Sequence, residues 1–412
     1  MPAQELKCKE CGRAYELAAL YACEHCFGPL EVAYDYTGLD GPEELKRRIQ
    51  AGPASIWRYI DFLPFQRRPQ TALDAGFTPL VRSRKLAERL GLGEVYVKND
   101  AANPTHSFKD RVVNVAVAKA KELGYEVVAC ASTGNLANAV AAHSTAAGLD
   151  SYVFVPADLE QQKILATGIY GTNLVAVKGS YDDVNRLCTE LSHQHPWAFV
   201  NVNLRPYYAE GSKTLGYEVA EQLGFQLPDR IVCPVASGSL LTRIARGFDE
   251  WRDVGLISGE LPAFNGAQAE GCSPVAQAFA DGHDICRPVR PNTIAKSLAI
   301  GNPADGAFAL EVARRTGGSI ESVAEQEIVD GIRLLAETTG IFTETAGGVT
   351  TAVLRKLAER GDIASDERVV VYITGDGLKT LDAVRDVVDV TTVEATVESF
   401  EEALPGAVEE LV

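Results

Sequence analysis

A chain of 412 residues, 46% hydrophobic and 23% charged, can bury a substantial core, and its length is typical of two or three domains. The 39 basic and 56 acidic residues give a formal net charge of −17, which argues against binding to nucleic acids and other polyanions. No apolar stretch reaches the roughly 18 residues of a membrane span, and the start "MPAQELKCKE" lacks the apolar segment of a signal peptide. We therefore predict a cytoplasmic protein with no membrane-embedded part.

The first 34 residues carry two Cys-x-x-Cys pairs, Cys8 with Cys11 and Cys23 with Cys26. Four thiolates from two such pairs can surround Zn²⁺ tetrahedrally, and a segment this short cannot build a core without such a staple. The other cysteines are scattered along the chain, a spacing that does not indicate a disulfide framework. We predict a zinc-ribbon-like segment over residues 1–34, with these four cysteines as the metal ligands.

Residues 35–76 are rich in Pro, Gly and aromatic side chains and are typical of a connector packed on a larger body. From residue 77 to residue 390, β-branched apolar runs alternate with segments of helical period. This alternation predicts an α/β body with largely parallel sheets that are covered on both faces. We expect two such subdomains, the smaller at about residues 118–210, followed by an acidic tail over residues 391–412.

Ligands of parallel α/β folds bind where strands end and helices begin. Small residues at such a junction let the backbone approach a ligand, and the free amides of a helix start attract an anion. A lysine in a polar loop lies upstream of these junctions. The lysine and the junctions together favour a phosphate-bearing ligand. The segments concerned are "NPTHSFKDR" (103–111, with Lys109), "ASTGN" (131–135), "VASGS" (235–239) and "TGDG" (374–377).

The lysine segment resembles the cofactor-lysine motif of the fold-type II pyridoxal 5'-phosphate (PLP) enzymes, and most closely the "NPTGSFKDR" of the threonine synthase family. Further segments match that family in the same order along the chain: "GFTPLVRS", "ASTGN", "NTIAKSLAIGNP" and "ITGDGLKT". The resemblance implies a fold like that of the tryptophan synthase β subunit, with two mostly parallel-sheet domains. An N-terminal cysteine ribbon also occurs in some members of the family.

The resemblance also implies roles for individual residues. Lys109 would bind PLP covalently, Thr374 would contact the pyridine nitrogen, and Asn135 would contact the 3'-oxygen. The cofactor phosphate would be held by the loop of Ala236, Ser237, Gly238, Ser239 and Leu240. The substrate would be held by Ser132, Thr133 and Gly134.

The reaction implied is the conversion of O-phospho-L-homoserine and water to L-threonine and phosphate. An alternative is a PLP-dependent sulfhydrylase that makes homocysteine, cysteine or cysteate from a phosphorylated amino acid, with a thiocarboxylate sulfur-carrier protein as one candidate partner. A small-molecule substrate and a homodimer are expected in either case. The cation for the substrate phosphate stays open among Lys163, Arg111, Arg205 and Lys213.

The sequence departs from the family pattern at several of these positions. His106 replaces the glycine of the lysine motif, and Leu136 and Ala137 replace hydroxyl residues that help to hold the substrate phosphate. His106 could compensate, because an imidazole can donate a hydrogen bond to phosphate. A rival of another class makes the cysteine ribbon a docking module on a degenerate enzyme, and the presence of Lys109 argues against it.

Overall fold

The computed structural model describes residues 2–132, 134–157, 159, 161–179 and 181–404. Its N-terminal segment is a three-stranded antiparallel sheet in the order β2-β1-β3. β1 (Ala3–Cys8) lies in the centre, with β2 (Ala14–Tyr15) on one side and β3 (Leu30–Tyr34) on the other. The cysteine pairs therefore lie at the turns that join the strands of this small sheet.

A six-stranded sheet forms the larger part of the body, in the order β12-β11-β10-β13-β5-β4. Every neighbouring pair is parallel except β4 with β5, which is antiparallel. The strands of this sheet are β4 (Leu80–Arg82), β5 (Glu94–Asn99), β10 (Arg230–Pro234), β11 (Ala263–Ala269), β12 (Ile320–Val323) and β13 (Arg368–Ile373).

Both faces of this sheet are buried, which explains the continuous apolar runs in its central strands. In β13, Val370 and Tyr372 join the apolar cluster on one face, whereas Val369, Val371 and Ile373 join the cluster on the other. The two-residue alternation of a strand thus fills two separate cores.

A four-stranded parallel sheet lies within residues 127–199, in the order β8-β7-β6-β9. Its strands are β6 (Val127–Ala131), β7 (Asp150–Pro156), β8 (Asn173–Val177) and β9 (Ala198–Phe199). The run "WAFVNVN" (197–203) predicts a longer strand than the two residues observed. Residues 200–204 form turns, and the side chain of Asn203 folds back to accept from the N–H of Phe199 at 2.8 Å and to donate to the carbonyl oxygen of Trp197 at 3.0 Å.

Helices follow most strands and cover the sheets. None of the described helices is long and apolar enough to cross a membrane. The α-helices are α1 (Pro42–Gln50), α2 (Arg84–Leu90), α3 (Lys109–Glu122), α4 (Asn135–Ala147), α5 (Gln161–Gly168), α6 (Tyr181–Gln194), α7 (Arg205–Gln222), α8 (Ser239–Asp253), α9 (Pro274–Ala280), α10 (Gly306–Arg315), α11 (Glu325–Thr339), α12 (Thr345–Glu359) and α13 (Val397–Ala403). Short 3₁₀ segments lie at Ile56–Phe62, Asp100–Ala102, Lys296–Leu298 and Gly377–Val387.

Candidate active site

Lys109 is the first residue of α3, and the loop before it is anchored through the next residue, Asp110. The buried carboxylate of Asp110 accepts hydrogen bonds from the backbone N–H and the hydroxyl of Thr105, both at 2.9 Å. His143, a buried residue of α4, has its Nε2 atom 2.8 Å from the same carboxylate. The lysine loop is thereby fixed to the helix that begins at Asn135.

The lysine loop also lies against the segment that follows β13. The N–H of Phe108 donates to the carbonyl oxygen of Thr374 at 3.0 Å, and the N–H of Asp376 donates to the carbonyl oxygen of His106 at 3.1 Å. Thr374 itself is buried. These backbone bonds bring the end of β13 next to Lys109, although more than 200 residues separate the two segments in the chain.

Asn135 is held from two sides by residues that the sequence did not single out. Its Nδ2 donates to both carboxylate oxygens of Glu344, at 3.1 and 3.0 Å, and its Oδ1 accepts from Lys379 Nζ at 2.8 Å. Lys379 Nζ also donates to the carbonyl oxygen of Thr105 at 2.6 Å. The orientation of the Asn135 amide is therefore set, with its oxygen toward an ammonium group and its nitrogen toward a carboxylate.

Burial perturbs both charged partners of Asn135. It raises the pKa of the Glu344 carboxyl, against the smaller lowering effect of the hydrogen bond from Asn135. It also lowers the pKa of the Lys379 ammonium, against the raising effect of Glu344. Perturbed groups of this kind concentrate at functional sites. Lys379 lies within "ITGDGLKT", so a family motif carried a signal for this residue, whereas Glu344 lies outside the matching segments.

Gly375 makes room for this cluster. A methyl group at its Cα would lie 2.5 Å from the carboxyl carbon of Glu344. The N–H of Glu344 donates to the carbonyl oxygen of Gly375 at 3.1 Å, so the two segments cannot separate without losing this bond. The glycine after Thr374 is thus required by the close approach of a buried carboxylate.

The turn between β10 and α8 provides a group of backbone donors. Gly238, the residue before α8, has φ +95° and offers no side chain to cap the helix, and the hydroxyl of Ser237 accepts only one long bond, 3.4 Å, from the N–H of Ser239. A side chain at this position would also clash, because a Cβ atom would lie 2.6 Å from the carbonyl oxygen of Asp305. The first amides of a helix have no acceptor within the helix, so this turn directs N–H groups toward an anion.

The predicted substrate-carboxylate loop lies at the start of α4. The hydroxyl of Ser132 accepts from the N–H of Gly134 at 3.3 Å and from the N–H of Ala137 at 3.1 Å. In this arrangement Ser132 caps the helix. Gly134 directly precedes the helix, and Thr133 lies outside the described residues.

Lys109 has one side-chain hydrogen bond that no motif indicates. Its Nζ donates to the hydroxyl of Tyr208 at 2.8 Å. Tyr208 lies in the first turn of α7 and is partly exposed. The two residues are 99 positions apart, and only the packing of α7 against α3 brings them together.

His106 occupies a left-handed backbone conformation, with φ +61°. Glycine adopts this conformation without steric cost, which explains the glycine of the family motif at this position. The imidazole is exposed, and no hydrogen bond of its side chain is found within the described part of the chain. Its role in substrate binding stays a prediction.

Two of the four cations considered for the substrate phosphate are engaged in buried ion pairs. Arg111 contacts Asp100 and Glu218, and Lys213 contacts Glu250 at 3.0 Å, all in the interior. These two side chains are structural, because moving either would strand a buried carboxylate. Arg205 is half-exposed and pairs with Asp305 at 3.0 Å, whereas Lys163 is a partly buried residue of α5.

The four cysteines of the ribbon converge. Their sulfur atoms all lie within 4.8 Å of one another, with Cys8 Sγ 3.5 Å from Cys26 Sγ and Cys11 Sγ 3.6 Å from Cys23 Sγ. Zn–S bonds of about 2.3 Å would put the corners of a tetrahedron about 3.8 Å apart. A hydrogen bond from the hydroxyl of Tyr15 lowers the pKa of the Cys23 thiol to about 5, which favours the thiolate that a metal requires.

A protein-family model described as pyridoxal-phosphate dependent enzyme matches residues 71–375. A threonine synthase of Methanosarcina acetivorans is 39% identical over 405 residues, which span 97% of this chain and 98% of the relative. A threonine synthase of Methanocaldococcus jannaschii is 40% identical over 383 residues, which span 92% of this chain and 93% of the relative.

Two solved structures share the fold at lower identity. The processed form of threonine deaminase isoform 2 from Solanum lycopersicum aligns with a TM-score of 0.65 and 23% identity, over 85% of this chain and 89% of that one. Maize serine racemase aligns with a TM-score of 0.61 and 19% identity, over 81% of this chain and 93% of that one. These similarities confirm the predicted fold class.

Proposed function

The chain belongs to the family of pyridoxal-phosphate dependent enzymes, and we infer that it is a threonine synthase, which converts O-phospho-L-homoserine and water to L-threonine and phosphate. The observation that carries this inference is the similarity to a threonine synthase over 97% of the chain. A match over 405 residues spans the cysteine segment, the lysine loop and all three strand-end turns. Activity assigned from such a match concerns the whole protein and not the fold alone.

PLP, when bound, withdraws electrons from the carbon that carries the substrate amino group and so makes its protons removable. We propose that Lys109 holds PLP covalently and that Asn135 and Thr374 contact its ring. The turn before α8 together with the first residues of that helix, from Ala236 to Leu240, would hold its phosphate. Ser107, two residues before Lys109, supports the placement of PLP at this lysine. Its buried Oγ has no hydrogen-bond partner within the described residues, and such a group is expected to find its partner in a bound ligand.

The substrate would be held by the loop that directly precedes Asn135. Ser132, Thr133 and Gly134 would bind its carboxylate through the start of α4, where backbone amides are directed toward an anion. The hydroxyl of Ser132 already accepts from Ala137, so its contribution would be to shape the loop as well as to contact the substrate. Lys109, once released from the cofactor, would take and return the protons of the substrate carbons.

The direct test is the release of inorganic phosphate from O-phosphohomoserine by the PLP-loaded protein, with amino-acid analysis of the product. Threonine is the expected product. A protein that binds PLP but releases no phosphate would overturn the assignment. Sulfide in a parallel reaction separates the sulfur-transfer alternative, because a sulfhydrylase would form homocysteine in its place.

We also propose that the four ribbon cysteines hold a structural Zn²⁺. The separations between their sulfur atoms suit a tetrahedral thiolate site. The ribbon contacts the body through Arg243 of α8, whose Nη2 lies 2.5 Å from Glu31 of β3. A metal in the ribbon would therefore stabilise a segment that lies against the helices of the site.

Replacing Cys8 with serine is expected to release the metal and to lower the melting temperature, because a structural zinc site of this kind contributes directly to folding. Metal content by mass spectrometry and thermal unfolding measure the two effects. The kcat at low temperature should stay within about threefold, since the ribbon holds no group that contacts Lys109. Cys286→Ser, which alters a thiol outside the ribbon, is the control and should leave the metal content unchanged. A folded Cys8→Ser protein with full zinc would contradict the proposed ligand set.

We further propose that the protein is a cytoplasmic homodimer. All nine cysteines are free thiols in the structure, which suits a reducing compartment. The dimer is an expectation from the family resemblance, and analytical ultracentrifugation tests it.

A further inference from the structure

We propose that Tyr208 is a catalytic residue that relays a proton from Lys109 to the departing phosphate. This inference rests on the proposed function and goes beyond it by assigning the acid of the leaving-group step. The observation behind it is the 2.8 Å hydrogen bond between Lys109 Nζ and Tyr208 Oη. No other side-chain hydrogen bond of this amine is found within the described residues.

The position of Tyr208 connects the amine with the turn that borders α8. Tyr208 and Arg205 are three residues apart in the first turn of α7 and so lie on one face of the helix. Arg205 pairs with Asp305 at 3.0 Å, and the N–H of Asp305 donates to the carbonyl oxygen of Ser237 at 2.8 Å. The first turn of α7, which carries Tyr208, is thus linked through Asp305 to the turn that precedes α8.

The chemistry needs an acid at this step. A phosphate monoester carries nearly two negative charges at neutral pH, so breaking its C–O bond without a proton would release a trianion. A proton donor near the ester oxygen avoids this charge. A second proton donor beside Lys109 would allow the amine to stay at the substrate carbons while the ester oxygen is protonated, and Tyr208 is the hydroxyl that Lys109 contacts.

The relay keeps protons and electrons in balance. Lys109 takes a proton from a substrate carbon and becomes an ammonium, which donates to Tyr208 Oη. As the C–O bond breaks, its electron pair stays on the ester oxygen, and the phenol O–H proton moves to that oxygen. The ammonium proton then moves to the phenolate oxygen. Hydrogen phosphate leaves, and both side chains return to their starting protonation.

The neighbouring residue provides a matched control. Tyr207 is buried, and its hydroxyl donates to the carbonyl oxygen of Ala18 in the ribbon at 3.0 Å. Tyr207→Phe and Tyr208→Phe each remove one hydroxyl from adjacent positions of the same helix. Only Tyr208→Phe removes a group that contacts the reacting amine.

The test separates proton removal from phosphate departure. We would measure phosphate release from O-phosphohomoserine. Separately, we would measure the exchange of the α-proton for deuterium in the phosphonate analogue of this substrate, in which a C–P bond replaces the ester linkage so that no phosphate can leave. Tyr208→Phe should lower kcat for phosphate release about 100-fold and leave the exchange rate within about threefold of wild type. Tyr207→Phe should leave both rates within about threefold while lowering the melting temperature.

Two results would overturn the relay. An equal fall of both rates in Tyr208→Phe would mean that the phenol positions Lys109 and passes no proton to phosphate. An unchanged rate of phosphate release would mean that the phenol has no part in the step. Wild-type protein that releases no phosphate would overturn the proposed function and the relay together, whereas an active wild type with an active Tyr208→Phe variant overturns the relay alone.

Discussion

The Lys109→Ala variant is expected to form threonine about 10²–10⁴-fold more slowly than the wild type. The change removes both the covalent attachment of PLP and the group that moves protons. Borohydride reduction followed by peptide mass spectrometry should label Lys109 in the wild type and leave the variant unlabelled. The variant should still bind PLP, but more weakly than the wild type, since the amides at the start of α8 are unchanged.

The second lysine of the site makes this experiment sharper. Lys379 is linked to the lysine loop through its hydrogen bond to Thr105, so it is an amine close enough to need testing. Labelling of Lys379 at wild-type stoichiometry in Lys109→Ala, with activity retained, would contradict the assignment. Lys121→Ala is the control, because Lys121 lies on the same helix, is exposed and bonds the carbonyl oxygen of Ala147.

The regular elements were predictable where one pattern dominated. The sequence predicts a helix over residues 181–194, and α6 spans the same residues because Val184, Leu187, Cys188 and Leu191 recur at helical spacing. The strand at residues 197–203 was predicted too long. There the apolar pattern continues, but residues 200–204 form turns in which the side chain of Asn203 folds back onto the backbone of Trp197 and Phe199.

The site was predictable only where a motif named a residue. The resemblance singled out Lys109 and Thr374, and the structure brings their segments together through backbone hydrogen bonds. Tyr208 and Glu344 were missed, because their partners Lys109 and Asn135 lie 99 and 209 positions away. No local period or composition encodes which distant segments a fold brings into contact.

Arg111 was considered as a ligand of the substrate phosphate from the sequence. In the structure it is instead the centre of a buried charge cluster. Its guanidinium lies 2.6 Å from Asp100 and 2.5 Å from Glu218, and Lys98 Nζ lies 2.7 Å from Glu218. All four side chains are almost fully buried. The two positive and two negative charges of the cluster balance. Because its members come from different elements, the cluster fixes the start of α3, two residues after Lys109, to β5 and α7.

Glu218→Gln should therefore lower the free energy of unfolding by about 3–5 kcal/mol, because it leaves the cations of a buried cluster with one carboxylate fewer. Urea unfolding measures the change. Glu190→Gln is the control: Glu190 pairs with Arg186 at 3.3 Å on the surface, and its loss should cost no more than about 1 kcal/mol. A cost for Glu218→Gln as small as that of the control would show that the cluster contributes little to stability.

The same cluster predicts how stability depends on pH. Burial alone would raise the pKa of Glu218, but Arg111 and Lys98 outweigh it and lower the pKa to about 2. An unfolded glutamate titrates near about 4.3, so the folded protein holds its ionised form more strongly, by about 3 kcal/mol. That stabilisation is complete above about pH 5 and is lost as the pH falls toward 2.

Urea unfolding of the wild type between these limits should show this loss of stability. The Glu218→Gln variant should lack the part that Glu218 contributes, since glutamine does not titrate. An equally steep fall in the variant would assign the acid sensitivity to other carboxylates.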